Sequence, residues 1–99
     1  KCNYIVNMKD QFKLLRDCIH NDIPAIVFQG DDKCLPEILK AAINIYEQNG
    51  CSLEFLYDLK LLLSEVITYQ MESPGTVKLP KLSPIEAELI KEEMEKRNK

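Results

Sequence analysis

The stretch YEQNGCSLEF, residues 46–55, reads as one helix stopping and another starting almost at once. Gly50 supplies the left-handed position that closes many helices, because it has no Cβ to meet the neighbouring carbonyl. Ser52 follows as an N-cap, its hydroxyl placed to accept from the first free amides of the next helix. A link of two or three residues makes an antiparallel helical hairpin the natural geometry. That junction sets the fold, and the rest of the chain is read outward from it.

On the N-terminal side, Leu35, Ile38, Leu39, Ala42, Ile43 and Tyr46 recur at helical spacing as one broad apolar face, with Ile45 on its margin. Glu37, Lys40, Asn44 and Glu47 take the other side. Asp31 or Asp32 is expected to cap this helix, and Pro36 falls in its first turn, where a missing N–H does no harm. On the C-terminal side, a third helix is expected from residue 53 to about residue 71. Its Phe55, Leu56, Leu59, Leu62, Leu63, Val66 and Ile67 cover one continuous arc. Tyr57 and Leu61 fall on the far side, among Glu54, Ser64 and Thr68.

Two further helices flank the hairpin. The first is expected over residues 8 to about 21, with Asn7 as N-cap, Asp10 in its first turn, and Met8, Phe12, Leu15 and Ile19 as a stripe beside Cys18. His20 lies opposite, and Pro24 stops the helix. The last runs from about residue 84 to 97. Ser83-Pro84-Ile85-Glu86 is a capping box with proline at the first position, and Lys96, Arg97 and Lys99 suit the negative C-terminal end. Ile85, Leu89, Ile90 and Met94 are read as a narrow stripe in an otherwise charged helix. Between the last two helices, ESPGTVKLPKLSP carries three prolines and a glycine and reads as a linker over 72–83, with Leu79 and Leu82 placed to pin it to the bundle.

The expected fold is therefore mostly α, a small three- to four-helix bundle in one domain over residues 1–99. The alternative is an α+β arrangement with a minor two-stranded element. In that case AIVFQ, residues 25–29, would pair with residues 3–6 or 76–79, since one short strand cannot hydrogen-bond alone. Asn7-Met8 also raises Met8 as the natural start, which would put residues 1–7 outside the fold.

Composition narrows the function classes. Of the 99 residues 45% are apolar and 29% charged, as in ordinary folded proteins. The net charge is -3, but residues 31–72 hold three basic and eight acidic groups, which repel a phosphate backbone. Nucleic-acid binding is not expected. No run approaches the roughly 18–20 apolar residues that cross a bilayer, and the opening KCNYIVN has no leader-like pattern. Cys2, Cys18, Cys34 and Cys51 contain no C-x-x-C pair, so free thiols in a reducing cytoplasm are expected.

No catalytic constellation stands out. FQGDDK, residues 28–33, has one glycine and two carboxylates where a phosphate loop needs several glycines and a cation. Adjacent Asp31 and Asp32 lack a third ligand at metal-site spacing. Cys18 and His20 point to different faces of one helix and cannot form a dyad. Glu86, Glu88, Glu92, Glu93 and Glu95 interleave with Lys91, Lys96 and Arg97 as a solvated face. Hence no catalytic, cofactor-binding or metal-ligating residue is assigned, and no cofactor is expected.

The expected function is a non-enzymatic protein-interaction module that self-associates as a homodimer through an apolar helix face. Tyr57 and Leu61 are the candidates, because an aromatic and a leucine one turn apart on an outer face ask for a cover. Ile85, Leu89 and Ile90 of the last helix join the candidate face, as its cover within the chain or as further contacts. The alternatives are a small-molecule or metal-responsive domain with Asp31, Asp32 and Cys34 near its site, or an accessory domain of an enzyme. The run PAIVFQGDDKCLPEILKAAINIYEQNGCSLEFLYDL, residues 24–59, resembles small uncharacterised proteins of gut Bacteroidales. That resemblance implies a cytoplasmic bacterial setting and no activity.

Overall fold

The computed structural model describes residues 9–97. The element order is α1 (Gln11–His20), α2 (Leu35–Gln48), α3 (Leu53–Glu72), a 3₁₀ turn (Pro74–Thr76) and α4 (Pro84–Arg97). The chain is mostly α, as expected, and no strand forms among the described residues. Residues 25–29 belong to no sheet. The Asn7 cap, the Met8 start, residues 1–7 and the pairing with residues 3–6 lie outside the described residues.

The hairpin forms as its letters require. Gly50 has φ +81, in the left-handed region, and closes α2 with two bonds. The Gly50 amide donates to the Glu47 carbonyl and the Cys51 amide to the Tyr46 carbonyl, both at 3.1 Å. This is the paired-bond helix stop that glycine favours. The Ser52 hydroxyl then accepts from the Phe55 amide at 3.1 Å and opens α3. Caps Asn49 and Ser52 thus enclose only Gly50 and Cys51. Tyr46 meets Phe55 edge to face at 5.2 Å, each four residues from the Gly50–Cys51 bond. At the far end Leu35 and Leu39 pack with Val66, Leu62 and Leu63, which makes the pair antiparallel.

A Cβ at Gly50 would meet nothing within 4 Å, so only the backbone resists a substitution there. Gly50→Val should therefore cost about 1–2 kcal/mol from the left-handed conformation alone. Urea unfolding followed by circular dichroism checks this; an unchanged midpoint would remove the turn's specificity.

The flanking helices depart from expectation in two respects. First, α1 starts at Gln11 and Asp10 is its cap: the Asp10 carboxylate accepts from the Lys13 amide at 3.0 Å. It ends before Pro24 acts, because Asp22 takes φ +55 and the Ile23 amide bonds the Cys18 carbonyl at 2.9 Å. Asp tolerates that conformation better than most residues. Second, α2 and α3 are the only α-helices in close packing among the described residues. Along α1, Leu15 and Cys18 are half-buried while Phe12 and Ile19 are exposed, so the expected stripe is only partly used; His20 is exposed as expected.

The capping box of α4 closes reciprocally. The Ser83 amide donates to Glu86 Oε1 at 3.1 Å and the Glu86 amide to Ser83 Oγ at 3.3 Å. The backbone and side-chain bonds of Ser83 hold the Glu86 carboxyl below its usual range. Local bonds of this kind sustain α4, which packs on no other helix among the described residues.

The core is correspondingly small. Leu35, Leu39, Leu56, Leu59 and Val66 are the buried apolar residues among those described. The radius of gyration is 16.5 Å, where a compact domain of this length has about 13 Å. The difference reflects α1 and α4 standing off the hairpin.

Candidate functional site

The loop between α1 and α2 is where the carboxylates of FQGDDK lie, and they are engaged. Asp32 is buried, its Oδ1 accepting from the Cys34 amide at 2.8 Å. It does not occupy the N-cap, which is Cys34; it organises the turn two residues earlier. Asp31 Oδ2 meets Lys78 Nζ at 2.8 Å. The hydrogen bond and charge of Asp31 raise the Lys78 pKa above its ordinary value. Asp32 and Lys78 form a single parallel bridge, in which the Lys33 amide donates to the Lys78 carbonyl at 2.9 Å and the Lys78 amide to the Asp31 carbonyl at 3.0 Å.

Gln70 of α3 completes this clasp. Its side-chain amide donates to the Gly30 and Asp32 carbonyls, both at 2.9 Å. The linker is thus fixed by the backbone of Lys78; Leu79 and Leu82, expected to pin it, are exposed. Residues 76–79, one candidate strand partner, do pair here, but with the acidic loop and at one residue. No group of three His, Cys, Asp or Glu side chains among the described residues is placed to hold a metal ion. Cys18, Cys34 and Cys51 are all free thiols, and Cys34 is exposed.

Apolar surface dominates the remainder. Twenty large apolar side chains are exposed among the described residues, against five apolar residues buried. One concavity is a trough of about 900 Å³. Its floor is Leu35, Leu39, Leu59 and Val66 of the hairpin, and α1 supplies one wall through Phe12, Leu14, Leu15 and Cys18. Residues 25–28 form its rim. Chain direction explains the shape: Lys9 Nζ lies 5.0 Å from the Phe55 ring near the hairpin turn, and Gly30 sits beside Tyr69 towards the other end. α1 and the segment after it therefore run the length of the hairpin without closing on it.

A second, shallower groove of about 470 Å³ lies on the outer face of α3, lined by Leu53, Glu54, Tyr57, Asp58 and Leu61. Tyr57 is 64% exposed and Leu61 half-buried. The structure does not bring Ile85, Leu89 and Ile90 onto this face: α4 packs on no other helix among the described residues, and all three are exposed. Helical geometry gives the reason. At 100° per residue Ile85 and Leu89 stand about 140° from Ile90 and Met94, so the expected stripe is two opposed pairs and cannot bury as one face.

Sequence reasoning missed the trough and Gln70. The exposed run IPAIVF, residues 23–28, was the one signal for the trough, being apolar without a partner of matching period. Gln70 carries no local signal, since its acceptors are 38 and 40 residues away. No helix among the described residues is long and apolar enough to cross a membrane. No protein-family model, curated protein or solved structure matches this chain.

Proposed function

We propose that this chain is a non-enzymatic protein-interaction module that self-associates through apolar helix surfaces, in a reducing, cytoplasmic setting. One observation carries the reading: exposed large apolar side chains outnumber buried ones fourfold among the described residues, and eight of the twenty are gathered along two concavities. Scattered apolar residues are ordinary on a surface, whereas contiguous ones mark contacts. Three free thiols are in keeping with the compartment.

Leu61→Asp tests the α3 face. A leucine buried in a symmetric contact contributes twice, so its loss is worth about 3 kcal/mol or more and should weaken a dimer at least a hundredfold. Sedimentation velocity should show a folded monomer with unchanged helix content. A wild type that stays monomeric at high concentration would remove self-association. Unfolding of the variant would instead assign Leu61 to the core.

A second reading, a small-molecule binding domain, draws on one observation. The trough has the volume and apolar lining of ligand sites, which span roughly 300–1,000 Å³. However, Asp31, Asp32 and Cys34, the polar groups expected near such a site, are not in its lining.

A further inference from the structure

Going beyond the self-association reading, and without depending on it, we propose that the trough is the docking site for residues 1–8 of the same chain, laid extended along its floor beside residues 25–28. The described chain opens at the lip of the trough. Lys9 and Asp10 belong to its lining, and Lys9 Nζ stands 5.0 Å from the centre of the Phe55 ring. Phe55 lies one turn of α3 before Leu59, where the floor begins on that helix, and the lining continues to Tyr69. At 1.5 Å per residue, Phe55 to Tyr69 is about 21 Å. Eight extended residues reach about 26–29 Å, so the segment leading into Lys9 can run the whole trough from the end where it is attached.

The letters of the segment fit an apolar floor. In KCNYIVNM the even positions are Cys2, Tyr4, Val6 and Met8, all apolar, whereas Lys1, Asn3 and Asn7 at odd positions are polar and only Ile5 is not. Alternation of this kind gives an extended chain one apolar face. Laid along the trough, Val6 falls about 10 Å and Tyr4 about 17 Å from Lys9, level with Leu62 and Val66 of α3. The rim supplies backbone to match. Residues 23–29 run without helix, turn or bend, and among the described residues no backbone amide or carbonyl of Ala25, Ile26, Val27 or Phe28 has a hydrogen-bond partner. A free edge beside an apolar floor takes an extended segment, whose amides pair with one while alternate side chains fill the other. Attachment selects this occupant over a second copy or another protein. A segment joined directly to the trough wall is present there at an effective concentration of about millimolar, which a free competitor with equal contacts must exceed.

The test uses the full chain, with nuclear Overhauser contacts and amide hydrogen exchange. Contacts are expected from Val6 to Leu62 and from Tyr4 to Val66, and they should stay within one molecule when labelled and unlabelled chains are mixed. Protection of the Ile26, Val27 and Phe28 amides should not vary with concentration. Val6→Asp, which sets a charge on the floor, should reduce that protection at least tenfold at unchanged helix content, and Asn3→Asp, on the outward positions, should leave it. Should Val6→Asp fail to fold, the contacts in the wild type decide alone. Contacts between labelled and unlabelled chains overturn the proposal, because a second copy is then the occupant. Absence of the contacts, unprotected amides, or equal effects of Val6→Asp and Asn3→Asp overturn it too. Self-association is decided separately by Leu61→Asp on the other face of α3: a chain that is monomeric at every concentration with the trough contacts intact loses only that reading.

Discussion

Leu35→Ala should lower the free energy of unfolding by about 3 kcal/mol, within the range for buried leucines truncated to alanine. Leu35 is 4% exposed and packs with Leu39, Val66, Leu62 and Leu63, in a core of five buried apolar residues among those described. The loss has two sources, the transfer of the missing atoms and the void left among rigid neighbours. Leu35 also floors the trough, so water and nearby side chains can enter part of that void, which keeps the cost below the upper end of the range. Domains of this size hold roughly 5–15 kcal/mol in total, so one substitution removes a large share. Leu53→Ala, on an exposed side chain one residue past the Ser52 cap, is the control and should change stability by less than about 0.5 kcal/mol. Urea titrations of both variants decide the matter. Equal effects would mean that the hairpin interface is not the core.

The second large effect is expected at Gln70. Gln70→Ala strips the donor from the Gly30 and Asp32 carbonyls in a partly buried place. A typical hydrogen bond is worth about 1 kcal/mol net, and an acceptor left unsatisfied costs about 1–3 kcal/mol, so a total near 2–3 kcal/mol is expected. The Lys33 and Lys78 amides, which bond across the same clasp, should lose exchange protection in step with the global change. If Gln70→Ala leaves their protection intact, the backbone bridge stands without the side chain. Gln70→Glu is the sharper variant, because a carboxylate offers those two carbonyls no donor and adds repulsion.

What could be read from the letters was local. Gly50 and Ser52 act within four residues of themselves, and so do Ser83 and Glu86; each motif appears where its spacing placed it. Asp10, read as a first-turn carboxylate, is the cap itself, because α1 starts at Gln11, three residues later than expected. The stop at Asp22 was hidden because aspartate is not the residue that usually takes a positive φ. The clasp was less accessible still, joining positions 38 to 47 residues apart through one glutamine, one lysine and backbone groups common to every residue. For the candidate face, the wheel placed Tyr57 and Leu61 outward, and both retain exposure. It did not place α4. A helix sustained by its own capping box, with apolar pairs on opposed sides, has no single face to direct its docking.

The clasp also decides how the molecule carries tension. Residues 31–33 and the strand-like stretch at Lys78 run parallel, with the hairpin as the loop between them. A pull on the two ends of the described chain draws one side of the bridge towards the N-terminus and the other towards the C-terminus, along the direction of both. The Lys33–Lys78 and Lys78–Asp31 backbone bonds are then sheared together, not opened one after the other, and the Asp31–Lys78 ion pair shares the load. Apart from the last turn of α3, which Gln70 ties to Gly30 and Asp32, the helices of the hairpin lie inside the closed loop and are shielded until the clasp parts. α1 and α4, outside it, are the slack that extends first.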